Sequence, residues 1–151
     1  MNANDEESVI DYQALAELRY QIRRFLRFSE QAAKEAGIEP QQYQFLLALK
    51  GLPEGRKPTI GELAERLQLQ HNSTVELINR LVERGLVGRE RNENDQRQVI
   101  VTLTAYGEEM LQRLARYHQS ELQSVGPALV ATLVVILESG KGEQKGSSID
   151  L

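Results

Sequence analysis

TIGELAERLQLQHNSTVELINRLVERGLVGRERNENDQRQVIVTLT, residues 59–104, is the stretch whose reading decides the fold. Residues 60–67 form a short amphipathic pattern of helical period. Thr59 stands before it as an N-cap, and Glu62 three residues on completes the sequence signature of a capping box. A polar break over residues 68–71 leads into a second helical pattern ending near Arg84, whose apolar members Val75, Leu77, Ile78, Leu81 and Val82 point to a core. Gly85 stops it. Two alternating segments, 86–91 and 98–103, then flank a polar tip over residues 92–97 and predict a two-stranded ribbon. Helix, turn, helix and ribbon in that order predict a winged helix-turn-helix.

Working outward, residues 9–36 carry Ile10, Ala14, Leu18, Ile22, Phe25, Leu26 and Ala33 at three- and four-residue spacing, so a long amphipathic helix is expected, with Gly37 as its left-handed cap. A helix of that span is roughly 40 Å long, more than a small core covers, so part of its stripe is expected to meet another chain. Glu39-Pro40 opens the next helix, with Pro40 in the first turn. Residues 51–58 are a loop by composition. Thr104 caps a helix over about 105–124, Gly126-Pro127 is expected to break it, and residues 128–138 form a short apolar helix. The fold class is therefore mainly α with a small β-wing. The expected domains are a disordered N-terminus at 1–8, a winged helix-turn-helix at 37–104, a helical dimerisation region at 9–36 and 105–138, and a flexible tail at 139–151.

Charge says where a polyanion would be met. The 151 residues carry a net −4. Residues 56–98 hold eight basic and seven acidic side chains, so this segment is +1 and the flanks are −5. Nucleic-acid contact would have to come from placement and not from bulk basicity. The chain has no cysteine, which excludes disulfides, thiolate metal sites and a cysteine redox switch. The first residues lack the pattern of a signal peptide. The longest apolar run, residues 129–137, falls short of the roughly 20 residues that span a bilayer. No membrane partner is expected, and the chain is expected to be cytoplasmic.

A helix-turn-helix presents the start of its second helix to base edges. Here that start is Gln70, His71, Asn72, Ser73 and Thr74, with Glu76, Asn79 and Arg80 further along. Asn and Gln can pair with adenine, and Ser or Thr with bases or phosphates. Glu76 is awkward beside phosphate; it could accept from a cytosine amino group or pair with Arg80 one turn on, which is the favoured reading. On the ribbon, Arg89 and Arg91 alternate as phosphate contacts, and Arg97 at the tip suits a narrow minor groove. Asp95 is expected to hold Arg97 or a nearby arginine by a charge-assisted hydrogen bond.

These residues resemble the MarR family of transcriptional regulators (multiple antibiotic resistance regulators). The resemblance spans roughly residues 9–138. It is carried by T-I-G-E-L-A-E-R-L, by S-T-V-E-L-I-N-R-L-V-E-R-G-L-V, and by N-E-N-D-Q-R-Q-V-I-V-T-L-T-A-Y-G. The D-x-R at Asp95–Arg97 followed by L-T-x-x-G is its most specific piece. The resemblance implies a homodimer assembled through terminal helices and bound to a pseudo-palindromic operator in double-stranded DNA. It also implies a repressor or activator, here expected to be a repressor, relieved by a small aromatic or phenolic effector.

Other chemistry finds little footing. The two histidines, His71 and His118, do not converge with a ligand set, and no catalytic or cofactor fingerprint is present. No cofactor, metal or catalytic residue is expected. Tyr12, Tyr20 and Tyr43 could line a ligand pocket, but aromatic residues at helical spacing read first as core. The competing reading is a winged-helix protein-interaction module, favoured by net acidity and Glu76 and disfavoured by Arg89, Arg91 and Arg97.

Overall fold

Helix ends frame this chain. The computed structural model describes residues 9–139. Its elements are α1 (Tyr12–Glu35), α2 (Pro40–Lys50), α3 (Ile60–Leu67), α4 (His71–Glu83), β1 (Val87–Asn92), β2 (Asp95–Leu103) and α5 (Ala105–Ser139). The segments expected to be disordered, 1–8 and all but the first residue of 139–151, lie outside the described residues.

α1, α3 and α4 terminate by one device. Gly37, Gln68 and Gly85 take positive φ of 84°, 54° and 70°. The following residues Ile38, Leu69 and Leu86 donate back to Ala33, Ala64 and Leu81 at 2.9–3.0 Å. This is the Schellman pattern, which satisfies last-turn carbonyls and turns the next apolar side chain inward. Gln68 is the one non-glycine residue at positive φ among the described residues, and its Nε2 donates to the Glu65 carbonyl at 2.8 Å.

Helix starts follow their caps. Glu39 and Gln42 form a reciprocal capping box on α2, with Pro40 in the first turn. At α3 the box is half made. Thr59 Oγ1 accepts from the Glu62 amide at 3.2 Å, but the Thr59 amide donates to the Lys57 carbonyl. The Glu62 carboxylate turns instead to Arg66 at 3.5 Å and Arg56 at 3.8 Å. Two guanidiniums outcompete one backbone amide for it.

The described residues divide into two compact units, residues 29–119 and residues 9–28 with 120–139. The first holds 29–36 and 105–119 besides the expected 37–104. Its core joins Phe45, Leu46, Leu63, Leu77, Ile78, Leu81, Leu86, Val101, Met110 and Leu114, all essentially solvent-free. β1 and β2 pair antiparallel from Val87↔Leu103 to Arg91↔Val99, and the register then shifts to Asn92↔Asp95. Gln96, Arg97 and Gln98 thus bulge from the ladder. The hairpin is longer than the expected tip of 92–97 allowed, because only residues 93 and 94 turn. The approach to α3 also joins the sheet: Val101 donates to the Pro58 carbonyl at 3.0 Å, and Thr59 bridges Ile100.

In the second unit Gln21 Nε2 donates to Glu17 Oε1 at 2.9 Å and to Thr132 Oγ1 at 3.2 Å. The expected break at Gly126-Pro127 does not occur, since α5 runs through Pro127. A proline removes one helical donor and crowds the carbonyl four residues back, while its neighbours Leu122, Gln123, Ala128 and Leu129 favour helix. Without the break, α5 contains an 18-residue window of mean hydropathy 1.6, none of it buried. By length and composition that helix could cross a membrane, although its longest apolar run remains residues 129–137, as expected. Ile22, Leu26, Leu122, Val130, Leu133, Val134 and Leu137 are all exposed. Tyr12 and Tyr20 are exposed too, against their reading as core, with Arg24 lying 5.6 Å over the Tyr20 ring.

Candidate nucleic-acid interface

α4 begins without a side-chain cap, because Gln70 occupies the N-cap in extended conformation and its side chain makes no capping bond. The first-turn amides therefore remain open to an outside acceptor. His71, Asn72, Ser73, Glu76, Asn79 and Arg80 form the exposed face of this helix, while Leu77, Ile78 and Leu81 fill the core side.

Thr74 does not belong to the exposed row. It is 0% exposed, and its Oγ1 donates to the Gln70 carbonyl at 2.9 Å. The expectation that Thr74 meets DNA is corrected by its place in the stripe with Leu77, Ile78 and Leu81. The expected Glu76–Arg80 pair is also absent among the described residues. Arg80 Nε instead lies 3.9 Å from Glu39 Oε2, a wide exposed pair of little energetic weight.

α4 and the ribbon are joined by one polar contact. Arg89 Nη1 on β1 donates to Asn79 Oδ1 on α4 at 2.5 Å. Further out, Arg91 Nη1 donates to the Gln96 carbonyl at 2.7 Å, and Asn92 Nδ2 donates to Gln98 Oε1 at 2.9 Å. The Asn94 amide donates to Asn92 Oδ1 at 3.1 Å. The hairpin tip is thus shaped by side chains acting on backbone. Gln96, Asn92 and Gln98 were not expected in this role, although Asn at a turn is a recognised signal for it.

Asp95 holds Arg97 by a charge-assisted hydrogen bond, as expected, but through the backbone and not the guanidinium. Its Oδ1 accepts from the Arg97 backbone amide at 3.0 Å, as an Asp two residues ahead of a donor does in an Asx-turn. It holds no arginine side chain by an ion pair among the described residues. Arg97 is exposed in the bulge, so the carboxylate fixes its backbone and leaves its side chain in the exposed bulge.

His118 is buried. It stacks on Tyr43 with ring centroids 4.6 Å apart, and its Nδ1 lies 2.7 Å from the Leu114 carbonyl. Burial pushes the Tyr43 hydroxyl above its ordinary pKa. No group of three or more metal-ligating side chains occurs among the described residues.

Comparison with known proteins converges on one group. Residues 36–98 match a protein-family model described as MarR family. Over 106 residues the chain is 33% identical to the uncharacterized HTH-type transcriptional regulator YcgE of Bacillus subtilis (strain 168), covering 70% of this chain and 67% of that one. MepR, a transcription regulator of the Staphylococcus aureus multidrug efflux pump MepA, superposes with a TM-score of 0.70 at 19% identity, covering 86% and 98%. A mutant MarR from E. coli complexed with operator DNA superposes at 0.63 with 24% identity, covering 84% and 92%. At such identities the structural matches establish the fold.

Proposed function

Because this chain belongs to the MarR family of transcriptional regulators and binds DNA by that homology, we propose that it acts as a homodimeric, cytoplasmic repressor of a pseudo-palindromic operator. The observation that carries this reading is the exposed row of α4, His71, Asn72, Ser73 and Glu76, beside a hairpin whose Arg91 and Arg97 side chains are exposed. Gln70, His71, Asn72 and Ser73 meet base edges and phosphates at the start of the helix. Arg97 enters the minor groove, and Arg89 and Arg91 meet phosphates. Asp95 acts on the wing from within.

Dimerisation is supported by the apolar side chains left exposed on α1 and α5, including Ile22, Leu26, Val130, Leu133 and Leu137. A second copy covering them explains why a DNA-binding protein keeps such a surface. Release by a small aromatic or phenolic acid follows from the family. Room for such a molecule is offered by a cavity of about 230 Å³ lined by Ala32, Glu35, Ala36, Arg113, Leu114 and Tyr117.

Selection of bound duplexes from a random pool, with light scattering on the same sample, tests the reading. A two-fold sequence with half-sites about one helical turn apart, bound by a dimer, is the expected result. A monomer at micromolar concentration would overturn the dimer. Recovery of no preferred sequence, with a protein partner retained instead, would favour a winged-helix interaction module.

A further inference from the structure

We propose that Asn79 is a positioning residue that aims Arg89 at a DNA phosphate, and that it does not read a base. Asn79 and Arg89 come from different elements, α4 and β1, and meet at 2.5 Å through Asn79 Oδ1 and Arg89 Nη1. A bidentate pair with adenine needs the Asn oxygen and amide together. Here the oxygen is turned to the ribbon. A guanidinium offers five N–H donors in a fixed fork, so the bond to Asn79 leaves most of them available while fixing the plane in which they lie. Arg89 is exposed, as phosphate contact requires.

The neighbouring cations contrast with it. Arg91 is bound to a backbone carbonyl within its own hairpin, and Arg80 stands at the edge of reach of Glu39. Among the described residues, Arg89 is the ribbon arginine anchored by a side chain of the helix that enters the groove. Helix and wing must keep a fixed offset to engage adjacent grooves together. The Asn79–Arg89 bond supplies that offset and delivers a preset cation, which lowers the ordering cost of binding.

This inference rests on the reading that α4 and the hairpin face DNA. Its test is a double-mutant cycle on the selected operator, with base preferences re-selected for each variant and affinity followed over salt concentration. Asn79→Ala is expected to weaken binding about three- to tenfold while leaving the preferred base at every position unchanged. Arg89→Ala is expected to weaken it at least as much and to make the log–log salt slope shallower by about 0.9, the value of one phosphate contact. The double variant should bind within about twofold of Arg89→Ala. Relaxed preference at one base pair in Asn79→Ala, or losses that simply add in the double variant, would overturn the positioning role. Asn72→Ala and Arg97→Ala serve as the controls. If both lose affinity while Asn79→Ala does not, only the positioning role fails; if neither loses affinity, the placement of α4 and the wing on DNA fails with it.

Discussion

Thr104 Oγ1 donates to the Gly85 carbonyl at 2.5 Å and accepts the Gly107 amide at 3.0 Å. One hydroxyl thereby closes the end of α4, starts α5, and brackets the hairpin between them. The Thr104 amide adds a bond to the Leu86 carbonyl at 3.2 Å. The reader helix and the wing are held in register from their base by this residue.

Replacing Thr104 by Ala removes both hydroxyl bonds and the N-cap. A loss of about 1–2 kcal/mol is expected, measured by urea unfolding. Thr104→Ser keeps the oxygen and should recover most of it. Equal losses in the two variants would show that the methyl group, and not the hydroxyl, sets the stability.

Gly107 explains the glycine of the L-T-x-x-G motif in steric terms. A Cβ there would lie 2.0 Å from the Leu86 carbonyl oxygen and 3.0 Å from its carbon. Since backbone cannot swing aside as a side-chain tip can, Gly107→Ala is expected to cost at least about 1–3 kcal/mol. Gly61 makes the matched control. It is exposed within α3 and a Cβ would meet nothing within 4 Å, so Gly61→Ala should gain roughly 0.5–1 kcal/mol. Thermal unfolding of the pair should give shifts of opposite sign.

Much of this was legible before any coordinates because the signals are local. Thr59, Gly37, Gly85, Glu39-Pro40 and Thr104 in its N-cap role each act on residues within a turn, so residue type and position suffice; the bond from Thr104 to Gly85 carries no such local signal. Gln68 gives no such signal, because its left-handed conformation is imposed by the helix-to-helix turn and not preferred by glutamine. Thr74 was readable in principle: its spacing to Ile78 and Leu81 puts it on the inward stripe, and its hydroxyl disguised that. Asp95 could likewise have been read as an Asx-turn from its two-residue spacing to Arg97. The Asn79–Arg89 bond depends on how β1 lies against α4, which no local pattern encodes. Gly126-Pro127 misled because both residues disfavour a helix interior, yet α5 runs through them.

The hydrogen bond that Asp95 accepts can be separated from its negative charge. Asp95→Ala removes the acceptor for the Arg97 amide and should weaken operator binding about two- to fivefold by loosening the bulge. Asp95→Asn keeps an Oδ1 acceptor and removes a negative charge beside DNA, so its affinity should equal or exceed that of the parent at low salt. Anisotropy titrations at two salt concentrations distinguish the variants. An Asp95→Asn variant as weak as Asp95→Ala would show that the carboxylate charge itself organises the arginines.

Tyr43 predicts the alkaline limit of stability. Its hydroxyl is held above its ordinary pKa because burial disfavours the phenolate. Between the unfolded value near 10 and the raised folded value, the native state binds more protons than the unfolded state. Stability therefore falls as pH rises through that window, and the contribution is complete only below the unfolded pKa. Tyr43→Phe has no proton to lose and preserves the ring that stacks on His118. Denaturant unfolding of both proteins from about pH 7 to 11 should show their stability difference constant up to about pH 9.5 and then shifting steadily in favour of the Phe variant. A difference independent of pH across that range would mean that the Tyr43 phenolate reaches solvent in the native state.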